Sequence, residues 1–261
     1  MSYLSAIEWT QSTWNPVTGC HKVSAACSNC YAERFANRFR GVKGHPYEQG
    51  FSVRMWPARL ALPLRWARSR LVFVNSMSDL FLEEIPSSFI AKVFQTMASA
   101  PQHTFQVLTK RPGRMAEWLS SSHAPHPLPT NIWLGVSVEN SQWLKRVDLL
   151  RSVKAAVRFI SFEPLLGPIE LRPADLRGIH WVIVGGETGP AARRMEACWV
   201  DSIYSACEAA RVPFFFKQWG AYDRTGKRVG RSRAGRRYRR REWNEMPDPV
   251  RGGHQNPATR M

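Results

Sequence analysis

The chain has no run of eighteen or more apolar residues, so no transmembrane helix is expected. Its opening, Met1-Ser2-Tyr3-Leu4-Ser5-Ala6-Ile7-Glu8, lacks the charged-then-apolar order of a secretory leader, and the expected address is cytoplasmic. In that compartment cysteines are more often ligands or catalysts than disulfides. G-x-G-x-x-G spacing is missing, and no Gly-Lys-Ser/Thr follows a glycine loop, so ATP or NAD binding by those routes is unsupported. There is no H-E-x-x-H pair; His21, His45, His103 and His180 are scattered. No short-period repeat marks a solenoid. Acidic residues are scarce, 20 against 37 Lys and Arg. The resulting charge of +17 and pI of about 10.5 favour a polyanionic partner, most often nucleic acid.

What is present begins with three cysteines in a C-x6-C-x2-C pattern, Cys20, Cys27 and Cys30, with no fourth nearby. A structural zinc takes four ligands, and His21 stands too close to Cys20 to complete the same tetrahedron, leaving His45 or a distant residue. Iron–sulfur clusters are held by cysteine thiolates, one per iron. Three cysteines on a four-iron cluster leave one iron free to chelate an amine and a carboxylate, the pair that S-adenosylmethionine offers. Cys198 and Cys207, nine apart on an expected helix, point to opposite sides and read as structural thiols.

Short β-branched or aromatic runs recur at residues 71–74, 104–108, 131–136, 158–162, 181–185 and 213–216. Near-continuous apolarity of this kind marks parallel strands covered on both faces. Between them, residues 85–100, 142–152 and 197–210 carry helical spacing. The alternation predicts an α/β fold with six or seven parallel strands: a complete or partial (β/α) barrel, or an open doubly wound sheet.

Functional groups in such folds gather at the carboxyl ends of the strands. Polar residues follow each run: Asn75-Ser76-Met77-Ser78-Asp79, Thr109-Lys110-Arg111, Ser137-Val138-Glu139-Asn140, Ser161 with Glu163-Pro164, Gly185-Gly186-Glu187-Thr188-Gly189 and Lys217-Gln218-Trp219-Gly220. Six such clusters on one edge predict the lining of a pocket. The Gly185-Gly186-Glu187 turn offers backbone N–H groups to an anionic or ribose-bearing ligand.

A domain over residues 1–222 is expected, followed by a basic, flexible tail over 223–261. The tail's Arg228, Arg231, Arg233, Arg236, Arg237, Arg239, Arg240 and Arg241 suit phosphate contacts, with Tyr238 and Trp243 interleaved and Pro249, Gly252, Gly253 and Pro257 breaking regular structure.

The segments Thr13-Trp14-Asn15-Pro16-Val17-Thr18-Gly19-Cys20 and Cys27-Ser28-Asn29-Cys30-Tyr31-Ala32-Glu33 resemble the radical-SAM-like three-cysteine-motif family of phages and bacteria. The resemblance continues through Val74 to Phe81, Leu108 to Pro112, Gly135 to Glu139, Ser161 to Leu165, Gly185 to Gly189 and Phe216 to Gly220, nearly all of the chain before the arginines. It implies a partial (β/α) barrel of radical SAM type and a 4Fe-4S cluster on Cys20, Cys27 and Cys30. It also implies S-adenosylmethionine as co-substrate and an electron-donor protein such as flavodoxin or ferredoxin. By position, Ser76, Ser78 and Asp79, with Asn75 beside them, meet the methionine amine or carboxylate. Ser137, Glu139 and Glu163 reach ribose or substrate, and Tyr31 stands near the adenine. The chain departs from the common radical SAM pattern, C-x3-C-x2-C with an aromatic before the last cysteine; here six residues separate the first pair, Asn29 precedes Cys30 and Tyr31 follows it.

The expected function is a radical SAM enzyme that modifies a nucleic acid base, as in DNA hypermodification or repair, or a nucleotide precursor. The alternatives are a zinc-stabilised, non-catalytic nucleic-acid-binding protein, and a radical SAM enzyme acting on a peptide or small molecule.

Overall fold

The protein is described from a computed structural model over residues 5–248. Residues Met1 to Leu4, and Pro249, Gly252, Gly253 and Pro257 of the tail, lie outside the described residues.

Seven parallel strands form one sheet. In chain order, β1 (Ser12–Trp14) is followed by the small antiparallel pair β2 (Val17–Thr18) and β3 (Arg54–Met55), with α1 (Tyr31–Asn37) between them. Then come β4 (Leu71–Val74), α2 (Ser87–Ala98), β5 (Thr104–Thr109), α3 (Pro112–Leu119) and β6 (Ile132–Ser137). They are followed by α4 (Lys145–Ser152), β7 (Arg158–Phe162), β8 (Trp181–Gly185), α5 (Ala197–Ala210) and β9 (Phe214–Gln218). The spatial order β1-β4-β5-β6-β7-β8-β9 follows the chain without reversal. A doubly wound sheet reverses at a switch point, so this is the singly wound order of a (β/α) barrel. β1 and β9 each have one neighbour in the sheet, and the barrel is therefore partial.

Alternation along each strand sorts the core into two layers. Outward residues such as Val72, Val74, Phe105, Leu134, Ile160, Val182 and Phe216 pack under the helices. Inward residues Phe73, Trp133, Phe159, Trp181, Ile183 and Phe215, with Trp9, fill the barrel floor. Their size needs room: a Cβ at Gly135 would lie 2.4 Å from the Phe159 ring. The next inward positions are polar, Asn75, Ser137, Ser161 and Lys217, so the floor is greasy and the carboxyl end is not.

Residues 223–248 are not the flexible arm expected from their composition. α6 (Arg231–Ala234) and the hairpin β10 (Arg237–Tyr238) with β11 (Arg241–Glu242) lead into Trp243, and Asn244 pairs with Phe215 on the free edge of β9. Tyr238 and Trp243 are buried against Tyr204 of α5 and Phe214. Burying two large aromatics contributes about 1.5–3 kcal/mol each toward holding this segment on the barrel. The boundary at 222 therefore does not separate a core from a loose tail.

Candidate active site

The loop carrying the cysteines is pinned at both ends. Gly19 pairs with Ser78, whose Oγ donates to the Gly19 carbonyl at 2.6 Å. Gly19 has φ +83°, and a Cβ there would lie 2.1 Å from the Ser52 carbonyl oxygen, so glycine is required immediately before Cys20. On either side of Cys30, Asn29 Nδ2 donates to Glu187 Oε2 at 3.0 Å and to the Ala191 carbonyl at 2.7 Å, while Tyr31 Oη donates to the Ser76 carbonyl at 2.5 Å. Cys30 is thus held between the ends of β8 and β4.

Cys20, Cys27 and Cys30 are partly buried, free of disulfides, and line one cavity of about 370 Å³ at the carboxyl edge of the sheet. Of the expected ligand-binding residues, Tyr31, Asn75, Ser76, Ser78, Asp79, Ser137, Glu163, Gly186 and Glu187 share its wall. Glu139 and Gly185 do not. Glu139 is fully buried and paired with Arg146 at 2.9 Å, below the wall; the cation on α4 draws it away from any ligand. Gly185 acts by what it lacks: a Cβ there would lie 2.6 Å from Glu163 Oε1. The open space on β8 lets Glu163, past β7, reach Lys217 on β9 at 2.9 Å. Trp9 Nε1 and Ser161 Oγ donate to the other Glu163 oxygen, each at 3.1 Å.

Two carboxylates placed in the wall by the sequence are occupied within the protein. Asp79 accepts from the Phe81 and Lys110 amides, from Thr109 Oγ1 at 2.7 Å and from Arg111 Nη1 at 3.5 Å. Glu187 accepts from the Arg193 guanidinium and from Asn29. Burial pushes its pKa up, but the hydrogen bonds from Arg193 and Asn29 outweigh that and hold it below the usual carboxylate value. Asn75 is different. It sits at φ +59°, is 2 % exposed, and its Nδ2 has no partner among the described residues while it lines the cavity. A buried amide donor without a partner is a departure from the usual pairing of buried polar groups.

Sequence reasoning placed Arg111 and Lys217 among the polar strand ends without a role of their own, and passed over Glu8, which precedes β1 and carried no signal. Arg111 bridges Asp79 and the cysteine loop, with Nη1 3.9 Å from Cys20 Sγ and Nη2 3.1 Å from the His21 carbonyl. Burial, with Asp79 adding to it, pushes the Cys20 thiol up to about 11, against the lowering pull of Arg111. Such a thiol ionises when a metal centre binds it. His21 pairs with Glu84 and His45 stacks on Phe39, so neither is placed as a fourth ligand. Among the described residues, no three His, Cys, Asp or Glu side chains converge closely enough to hold a single ion. Three thiols are a donor set that suits a cluster giving each thiolate its own iron.

The arginines of residues 228–241 divide. Arg231 lines the cavity, donating to Gln218 Oε1 at 2.7 Å and to Glu8; Arg228 caps the Gly189 and Pro190 carbonyls at its rim. Arg236, Arg239 and Arg241 instead hold the hairpin, on Glu242, on Asp201 and over the Trp243 ring. Arg233, Arg237 and Arg240 are exposed.

Fold and site define a class, a singly wound partial (β/α) barrel with a three-thiol loop at its carboxyl edge. The chain belongs to the DUF5131 family, described as proteins of unknown function, whose profile matches residues 4–247. No curated protein matches it. Among solved structures, spore photoproduct lyase complexed with dinucleoside spore photoproduct aligns at a TM-score of 0.46 and 12% identity, over 78% of this chain and 62% of that one. A double mutant of spore photoproduct lyase with bound AdoMet and dinucleoside spore photoproduct aligns with the same values. The chain thus spans less than two thirds of the length of the structures it matches. No helix among the described residues is long and apolar enough to cross a membrane.

Proposed function

We propose that the protein is a radical S-adenosylmethionine enzyme acting on a nucleic acid base, in DNA hypermodification or repair or on a nucleotide precursor. The observation that carries this reading is the placement of Cys20, Cys27 and Cys30 on the wall of one polar-rimmed cavity at the strand carboxyl ends. Cys20, Cys27 and Cys30 would hold a 4Fe-4S cluster, which would supply the electron for reductive cleavage of S-adenosylmethionine.

The chain's own residues bind, orient and exclude water. Asn75 lines the cavity where the methionine group would bind; Ser76 and Ser78 beside it have given their hydroxyl protons to Asn15 Oδ1 and the Gly19 carbonyl, and keep acceptor lone pairs for the methionine amine. Ser137 and the Glu163–Lys217 pair face the remaining space, for ribose or substrate. Asp79 positions: it holds Arg111 beside Cys20 rather than meeting a ligand. The aromatic floor excludes water beneath the site. The charge of +17 favours nucleic acid over a peptide or small molecule. A cytoplasmic address and a flavodoxin- or ferredoxin-type electron donor go with this chemistry.

Anaerobic reconstitution with iron and sulfide, then S-adenosylmethionine and reductant, tests it by mass spectrometry for 5′-deoxyadenosine. Colourless protein holding one zinc, or an assembled cluster that yields no 5′-deoxyadenosine, overturns it.

A further inference from the structure

α1 is inverted relative to an ordinary surface helix. It buries its small residues, Ala32 and Ala36, and leaves its aromatics uncovered: Tyr31, 48% exposed, on the cavity wall, and Phe35, 43% exposed, outside it. Residues i and i+4 share a helix face, so the two rings make one stripe. That stripe continues into a built platform. Phe35 meets Phe39 at 5.2 Å and Tyr47 edge-on at 5.8 Å, and His45 stacks on Phe39 at 4.0 Å and 16°. Val42 beside them is 47% exposed. Large exposed apolar side chains gathered in one place mark an interaction surface.

The surroundings are basic. Residues 38–59 carry Arg38, Arg40, Lys43, Arg54 and Arg59 against the single acid Glu48, whose carboxylate is already engaged by the Gly44 amide at 3.0 Å. Arg54 and Arg59 both lie over the Trp56 ring, at 3.9 and 4.1 Å. Rings that accept stacking, interleaved with cations, are how single strands are held without sequence preference.

We propose that α1 and residues 38–59 form a docking surface for single-stranded nucleic acid. The proposal rests on the reading of the substrate as a nucleic acid and adds that it is a polymer delivered unpaired. Charge alone would also suit an acidic redox protein; the ring platform is what selects unstacked bases. Tyr31 belongs to both the platform and the cavity wall, next to Cys30, so a strand lying here runs to the mouth of the site. This moves the main nucleic-acid contact away from the arginines of 236–241, of which Arg236, Arg239 and Arg241 hold the hairpin.

The test is fluorescence anisotropy of the full chain with a labelled single-stranded oligonucleotide over a salt series, with folding followed by circular dichroism. Phe35→Ala should weaken binding about tenfold, the loss of one stacked base. Arg38→Gln with Lys43→Gln should lower the slope of log K against log salt by about 1.4, two phosphate contacts. Arg233→Ala with Arg237→Ala should change affinity less than about twofold, within the spread of surface substitutions. The proposal is overturned if the tail pair abolishes binding while both platform variants bind normally. It is also overturned if the platform variants slow cluster reduction by flavodoxin and leave oligonucleotide affinity intact. The assay needs no cluster, so production of 5′-deoxyadenosine by a protein that ignores oligonucleotides defeats the docking surface alone. Platform-dependent binding by a protein that assembles no cluster defeats the radical chemistry alone.

Discussion

Replacing Asp79 with alanine separates a positioning role from a ligand contact. Four donors converge on this carboxylate: the Phe81 amide at 3.0 Å, the Lys110 amide at 2.9 Å, Thr109 Oγ1 at 2.7 Å and Arg111 Nη1 at 3.5 Å. The two charged side chains are 8% and 7% exposed, so alanine strands a buried guanidinium. Breaking a buried pair costs about 3–5 kcal/mol. Arg111 keeps Glu83 and the His21 carbonyl, which places the cost near the lower end, about 3 kcal/mol. In a chain of this length that lowers the melting temperature by about 6–12 °C. Adding Arg111→Met removes the stranded charge and should restore about 1 kcal/mol or more. Calorimetry of the two variants reads both numbers. A melting temperature within about 2 °C of the parent, with S-adenosylmethionine affinity reduced tenfold, would show that Asp79 binds the ligand directly and would refute the positioning argument.

Three further outcomes are expected. Gly185→Ala drives a methyl group into Glu163 and should cost about 1–3 kcal/mol, with loss of the Lys217 contact visible in a crystal structure; an unchanged 2.9 Å pair would contradict this. Cys27→Ala should abolish iron uptake on reconstitution while the far-ultraviolet circular dichroism stays unchanged, and full iron retention would defeat the ligand assignment. Burial, followed by neighbouring cations, holds both His103 and His180 below the usual imidazole value. The unfolded chain then binds more protons near its ordinary pKa, so stability is complete above about pH 6.5 and falls as pH drops below it. Thermal melts at about pH 7.5 and 5.5 should show the loss, and His103→Gln should flatten it; a pH-independent melt would contradict the burial argument.

The six apolar runs and three of the helices were legible because strands covered on both faces must be apolar throughout and helices must show one apolar stripe. β1 was not, since Ser12-Thr13-Trp14 is too short and polar to signal a strand; it forms because β4 offers it an edge. α1 was hidden for the opposite reason, its aromatics left uncovered. The basic stretch misled because charge dominated its composition, while Tyr238 and Trp243, two residues among many arginines, decided its place. Strand-end polarity located the cavity, but not the roles within it. Asp79 and Glu187 look like free carboxylates in the sequence, and the fold shows them occupied, by Phe81 and Arg193 nearby and, 30 and 158 residues away, by Thr109 and Asn29.

By itself the sequence determined the α/β class, the polar strand ends that line the cavity and the three cysteines found on its wall. Those follow from local periodicity and from residue chemistry at fixed spacing. The tertiary structure alone decided which polar side chains stay available to a ligand, that Gly185 opens a path between Glu163 and Lys217, and that the exposed aromatics flank Cys30. Each of these depends on contacts between segments far apart in the chain, and no local pattern encodes the distance between them.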